Sequence, residues 1–371
     1  MPTPDDGRLT ANPLTRALAV ISRREALHRL GGLVAAGLVP AVQAGASGGW
    51  IDVHHHFIPP GYREFFEHAR NAAGSPALIP PTAWSLADDL ADMDRAGVAR
   101  ALLSMFVPGE VGTLPARAAL ARTINEFAAR LRQDHPQRFG FFAALPLPDI
   151  EASLTEVAYA ADVLKSDGFA VYTSSGNRWI GDPSFHPLLA ELNHRAAILF
   201  VHPTTPKCCG GLLPGVPDNI IEYQTDTTRA IASIIFNRVT ERYARISFIF
   251  AHGGGTVPYL IERFLGGTAA EIVPGILTEG QQGPYVPHQP SGGALAHLRR
   301  LYYDTAQCAN PVAMRALRTV VRPSQILFGS DYFYRSAAKT AEQLRGCGVF
   351  TAGELEAIGA GNVRELLRRS A

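Results

Sequence analysis

The 371-residue chain is 47% hydrophobic and 18% charged, which suits a globular protein with a large buried core and excludes the disordered and fibrous classes. Its 34 Lys+Arg against 33 Asp+Glu leave a net charge of +1, so no long-range field favours nucleic acid or an anionic membrane surface. A small molecule is the expected partner. The four cysteines, Cys208, Cys209, Cys308 and Cys347, are too few and too scattered for a disulfide scaffold or a zinc knuckle. Adjacent Cys208 and Cys209 can form only a strained vicinal bridge and are expected to be two loop thiols.

Residues 1–47 read as a signal segment. Arg23-Arg24 precede a weakly apolar run from Leu30 to Val42, and Val42-Gln43-Ala44 offers small residues at a cleavage point. This order resembles a twin-arginine export signal and implies an exported, periplasmic protein. The run falls short of the roughly 20 residues that span a bilayer, so no permanent membrane anchor is expected.

The remainder, 48–371, is expected to be one catalytic domain. Short β-branched or aromatic runs at 50–57, 99–106, 139–145, 168–173, 198–203, 246–252, 301–305 and 326–331 alternate with helical periodicity at 86–96, 116–134, 151–164, 187–195, 226–243 and 311–321. Eight such units predict a (β/α)8 TIM barrel. Long Gly/Pro-rich insertions follow the first, fifth and sixth strands, at 59–83, 204–219 and 266–293. All three leave the C-terminal face, where TIM-barrel chemistry sits.

Ionisable residues gather at that rim. His54 and His56 are two apart in the first strand and face one way, so one metal ion can take a nitrogen from each, whereas His55 faces the outer helices. His202 ends the fifth strand, His252 the sixth and Asp331 the eighth. Burying such groups at four apolar strand ends is costly unless they share a partner, and a metal ion is the economical one. Asp304 ends the seventh strand and is expected to orient His252 or a ligand histidine. Tyr62, Trp179 and Tyr223 follow strand ends and are candidates for an aromatic pocket or for packing.

This order of His-x-His, His, His and Asp resembles the amidohydrolase superfamily from Trp50 to the C-terminus. Ile51-Asp52-Val53-His54-His55-His56-Phe57-Ile58-Pro59-Pro60 and Phe250-Ala251-His252-Gly253-Gly254-Gly255-Thr256-Val257-Pro258 are similar to its aminocarboxymuconate-semialdehyde decarboxylase branch. Val201-His202-Pro203-Thr204-Thr205-Pro206-Lys207-Cys208-Cys209 resembles the 6-methylsalicylate decarboxylases within it. The fourth strand run, Gly168 to Thr173, offers no lysine, which argues for a mononuclear site.

The resemblance implies that His54, His56, His202 and Asp331 bind one divalent ion, zinc or alternatively manganese, and that His252 activates water or moves a proton, with a fifth ligand as its other reading. It implies a homodimer in which Arg263 reaches the neighbouring subunit's site and clamps a substrate carboxylate. The implied function is metal-dependent decarboxylation of a small aromatic or unsaturated carboxylate such as a hydroxybenzoate, with Asp331 or His252 donating the proton. Two alternatives stand beside it: a metal-dependent hydrolase of a lactone, amide or related bond, and a non-catalytic exported metal- or ligand-binding barrel.

Overall fold

The apolar runs become eight strands: β1 Trp50–His56, β2 Val98–Ser104, β3 Phe139–Ala144, β4 Gly168–Tyr172, β5 Ile198–His202, β6 Ser247–Phe250, β7 Tyr302–Asp304 and β8 Ile326–Leu327. The computed structural model describes residues 49–65, 84–108, 112–265 and 290–370. The expected signal segment and most of the insertions at 59–83 and 266–293 lie outside the described residues.

Neighbouring strands pair in chain order, all parallel. The chain from β8 onward then runs back along β1. Val53 N donates to Phe328 O at 3.0 Å and Asp331 N donates to His54 O at 2.9 Å, which closes the ring. The expected (β/α)8 barrel is therefore observed, and its parallel strands are buried on both faces.

Two cores result. Ile51, Val53, Leu102, Phe142, Phe200, Ile249 and Leu327 share the inner one, while Met93, Ile124, Leu188, Ile234 and Leu317 belong to the outer one, beneath the helices. The pairing of β1 with β2 shifts register between Asp52 and His55, which is where the inner set passes from Val53 to His54 and His56.

Helices α1 Leu86–Ala96, α2 Leu114–Asp134, α3 Ile150–Asp162 and α4 His186–His194 lie where the periodicity places them. Ser85 caps α1 by accepting from Asp88 N. The helix expected over 226–243 is instead two, α5 Glu222–Phe236 and α6 Val239–Arg242, because Arg238 takes a left-handed conformation at φ 60° and interrupts it. Short helices α7 Ile261–Leu265 and α8 Ala294–Leu298 precede α9 Pro311–Val320. The barrel finishes with α10 Ala337–Gly346, α11 Ala352–Glu356 and α12 Asn362–Ser370, which the runs above leave unassigned.

One expectation is overturned in the loop after β5. Cys208 and Cys209 are joined as a vicinal disulfide rather than standing as two thiols. Cys209 N donates to Pro206 O and Cys208 N donates to Asn177 Oδ1, a tight turn that holds the adjacent side chains together. Cys308 and Cys347 are free and buried.

Candidate metal centre

Five side chains meet at the C-terminal rim: His54 and His56 from β1, His202 from β5, His252 after β6 and Asp331 after β8. His54, His202, His252 and Asp331 each offer an atom within 4.8 Å of the others. His56 completes the group, its Nε2 lying 3.1 Å from Nε2 of His54 and 3.0 Å from Oδ1 of Asp331.

The tautomers follow from the outer partners. Nδ1 of His54 faces Asp304 Oδ2 at 2.7 Å, Nδ1 of His56 faces Ser104 O at 3.0 Å and Nδ1 of His202 faces Pro203 O at 2.7 Å. Each acceptor takes the Nδ1 proton and leaves Nε2 with a lone pair directed inward. Three such lone pairs and a carboxylate then converge with no donor hydrogen of their own among them. That arrangement calls for a cation.

The electrostatics ask for positive charge at the same point. Burial opposes a charge on His54, yet Asp304 and Asp331 outweigh it and hold its pKa up at about 10. Burial opposes ionisation of Asp331 as well, but His54 and the close approach of the His252 and His56 rings keep it well below the usual carboxylate range. His202 is pushed well below its ordinary value by burial and then by the neighbouring imidazoles, and His56 is lowered chiefly by burial. Positive charge is wanted near the carboxylates while the imidazoles resist protonating together. Both ring nitrogens of His252 and Oδ1 of Asp331 are buried without a hydrogen-bond partner, a lining that fits a cation.

Asp304 supports this geometry from beneath. One oxygen holds the His54 ring, and the other accepts from the backbone N of His252 at 2.8 Å and of Ala306 at 3.0 Å. It thus orients the histidine expected as a ligand by its ring, and His252 only through its main chain. Gly329 makes the approach possible: a Cβ there would fall 2.8 Å from the Cβ atoms of both His54 and Asp304. His55 faces outward as expected, between Asp52 and Asp89.

Aromatic rings wall the cluster. Phe106 lies 4.9 Å from His202 and stacks on Tyr172 at 4.8 Å, Tyr334 lies 5.8 Å from His56, and Tyr223 lies 6.2 Å from His202. Tyr62 is buried with its hydroxyl donating to Phe106 O. Burial raises the pKa of all four phenols, that of Tyr223 to about 12, so they remain neutral donors. Trp179 instead turns its indole N–H to Asp226 and is packing. Arg263 is exposed on α7 and does not join this chain's cluster.

Sequence reasoning passed over Phe106, Tyr172, Gln307 and Tyr334. Position alone was the available signal, since Gln307 and Tyr334 each stand three residues beyond a rim aspartate, Asp304 and Asp331.

A family model described as amidohydrolase matches residues 51–369. The chain belongs to the amidohydrolase family. Among sequence relatives of this amidohydrolase, the 6-methylsalicylic acid decarboxylase of Penicillium expansum is 36% identical over 293 residues, covering 76% of this chain and 84% of its own. Two solved structures share the fold. The 5-carboxyvanillate decarboxylase of Sphingomonas paucimobilis superposes with a TM-score of 0.73 at 19% identity, covering 87% of this chain and 99% of the other. A dihydroxybenzoic acid decarboxylase of Polaromonas sp., solved with manganese and the inhibitor 2-nitroresorcinol, gives 0.70 at 19% identity, covering 87% and 98%.

Proposed function

We propose that this amidohydrolase is a metal-dependent carboxy-lyase that removes carbon dioxide from a small aromatic carboxylate of the hydroxybenzoate type. The carrying observation is the inward convergence of His54, His56 and His202 Nε2 with Asp331 at the floor of an aromatic-walled rim. The named sequence relative supports decarboxylation over hydrolysis, and the manganese in the Polaromonas protein supports a divalent ion.

His54, His56, His202 and Asp331 would hold one divalent ion, zinc or manganese, which as a Lewis acid supplies stabilisation of negative charge on the substrate oxygens. The chain's own residues do the rest. Phe106, Tyr172 and Tyr334 offer faces and edges to an aromatic ring, and the neutral phenols can donate to its hydroxyl and carboxylate oxygens. Loss of carbon dioxide from an arene is eased when the ring carbon is protonated first. His252 Nε2 and Asp331 Oδ2 face each other at 3.5 Å and form the pair from which that proton comes.

The active unit in this reading is a homodimer to which Arg263 contributes across the interface. Exposed Leu212 and Ile220 after β5, with Tyr259 and Leu265 after β6, supply apolar surface on the same rim for a second copy. The reading also includes export through the twin-arginine-type segment 1–47, on the strength of Arg23-Arg24 and the apolar run that follows. No described helix is long and apolar enough to cross a membrane.

The test is to load the protein with Mn2+ or Zn2+ and follow carbon dioxide from a panel of hydroxybenzoates, with lactones and esters in parallel. Carbon dioxide release from at least one hydroxybenzoate is expected. Turnover of lactones or esters alone would replace the carboxy-lyase with a hydrolase.

A further inference from the structure

The two oxygens of Asp331 face different ways. Oδ1 lies 3.2 Å from Nε2 of His54 and 3.0 Å from Nε2 of His56, whereas Oδ2 lies 3.5 Å from Nε2 of His252. The terminal torsion of a carboxylate is broad, so its plane turns unless something directional holds it. That something is Gln307, whose side-chain amide donates to Oδ2.

The backbone places Gln307 there at a cost. It stands three residues past the end of β7 in a left-handed conformation at φ 53°, beside His252 at φ 56° and Asp331 at φ 65°. Among the described residues six non-glycines adopt such a conformation, and these three lie just beyond the consecutive strands β6, β7 and β8 around one pocket. Strain of this kind persists where the surroundings demand it and tends to cluster at functional sites. Nearby, Thr305 Oγ1 both donates to Gly329 O and accepts from Gly329 N, tying the turn that carries Gln307 to the segment that carries Asp331.

We propose, on the strength of the metal-dependent reading above, that Gln307 is a positioning residue: its amide fixes the Asp331 carboxylate so that Oδ1 stays with His54 and His56 and Oδ2 is presented to His252. A carboxamide suits the task. It supplies a donor without adding charge, where a carboxylate would repel Oδ2 and an ammonium would compete with the ion for Asp331. The oxygen that would hold the ion and the oxygen that faces His252 are thereby kept in place before the ion or substrate arrives.

The deciding variant is Gln307→Met, which keeps the length of the side chain and removes the donor. In a chelator-competition titration it should bind Mn2+ about tenfold more weakly than wild type, the lower end of the effect of removing a partner that orients a ligand. The melting temperature of its ion-free form should stay unchanged. With any hydroxybenzoate that wild type turns over, kcat should fall while KM holds. Mn2+ affinity within twofold of wild type would overturn the inference. Should methionine disturb the rim, Gln307→Leu, shorter and likewise without a donor, gives the same readout. A wild-type protein that binds Mn2+ but releases no carbon dioxide would sink the carboxy-lyase reading and leave the titration to decide Gln307. Wild type that binds neither Mn2+ nor Zn2+ would sink both.

Discussion

At the scale of single residues, the candidate metal cluster rests on a further buried histidine that takes no part in it. His55 is wholly buried, with Nδ1 3.0 Å from Asp52 Oδ2 and Nε2 2.8 Å from Asp89 Oδ1, and its ring stacks on Tyr332 at 4.7 Å. Asp52 also accepts from the backbone N of His54 and Ser330, and Asp89 accepts from the Trp84 indole. Strand β1, helix α1 and the Ser330 segment are thus clasped together directly behind the ligands. Burial opposes charge on His55, yet Asp89 and Asp52 outweigh it and raise its pKa to about 10. His55→Leu leaves two buried carboxylates without their cation and should cost about 3–5 kcal/mol in urea unfolding. Because the folded-state value lies above the 6.5 of the free imidazole, the stabilisation is complete below about pH 6.5 and is lost as pH rises through 10. The stability gap between wild type and His55→Leu should therefore narrow from pH 6 to pH 10. A gap that stays constant over this window would mean that His55 is neutral in the fold.

At the scale of elements, the site depends on how closely β1, β7 and the segment after β8 approach. Gly329 is the closest point. An added methyl would meet the Cβ atoms of His54 and Asp304 at 2.8 Å, so something must shift. Both neighbours belong to the ligand assembly, and a shift separates the Asp304 carboxylate from the His54 ring it orients. Gly329→Ala should destabilise the protein by about 1–3 kcal/mol, the usual cost of overpacking, and weaken Mn2+ binding. Gly346, at the end of α10, has open space around it and serves as the control. If Gly329→Ala behaves like Gly346→Ala in both melting and titration, the rim is more compliant than this packing implies.

At the scale of the whole molecule, the proposed dimer makes a prediction that a self-sufficient monomer does not. Arg263 is exposed on its own chain, and His252 sits in the cluster. If Arg263 serves the neighbouring site, Arg263→Ala and His252→Ala each inactivate the homodimer, yet a mixed dimer contains one site with both residues intact. Mixing the two variants after verified subunit exchange should restore about a quarter of wild-type activity, half the dimers being mixed with one good site of two. A mixture as inactive as its parents would end the idea that Arg263 serves the neighbouring site.

The linear sequence determined the repeat and the five residues of the candidate metal cluster. A (β/α)8 barrel is legible because each buried parallel strand is a short apolar run, and the alternation of runs with helical periodicity depends on local pattern alone. His54, His56, His202, His252 and Asp331 are legible because strand ends are legible, and barrel topology sends every C-terminal strand end to one rim. What tertiary structure decided is whatever depends on the third dimension of that rim. Gln307 meets Asp331 across 24 positions of chain, and Tyr172 at the end of β4 and Tyr334 beyond β8 come to one rim from strands that are not neighbours in the ring. The split of 226–243 into two helices and the pairing of Cys208 with Cys209 also escaped the pattern, since each turns on the backbone angles of a few residues, which hydrophobic periodicity does not encode.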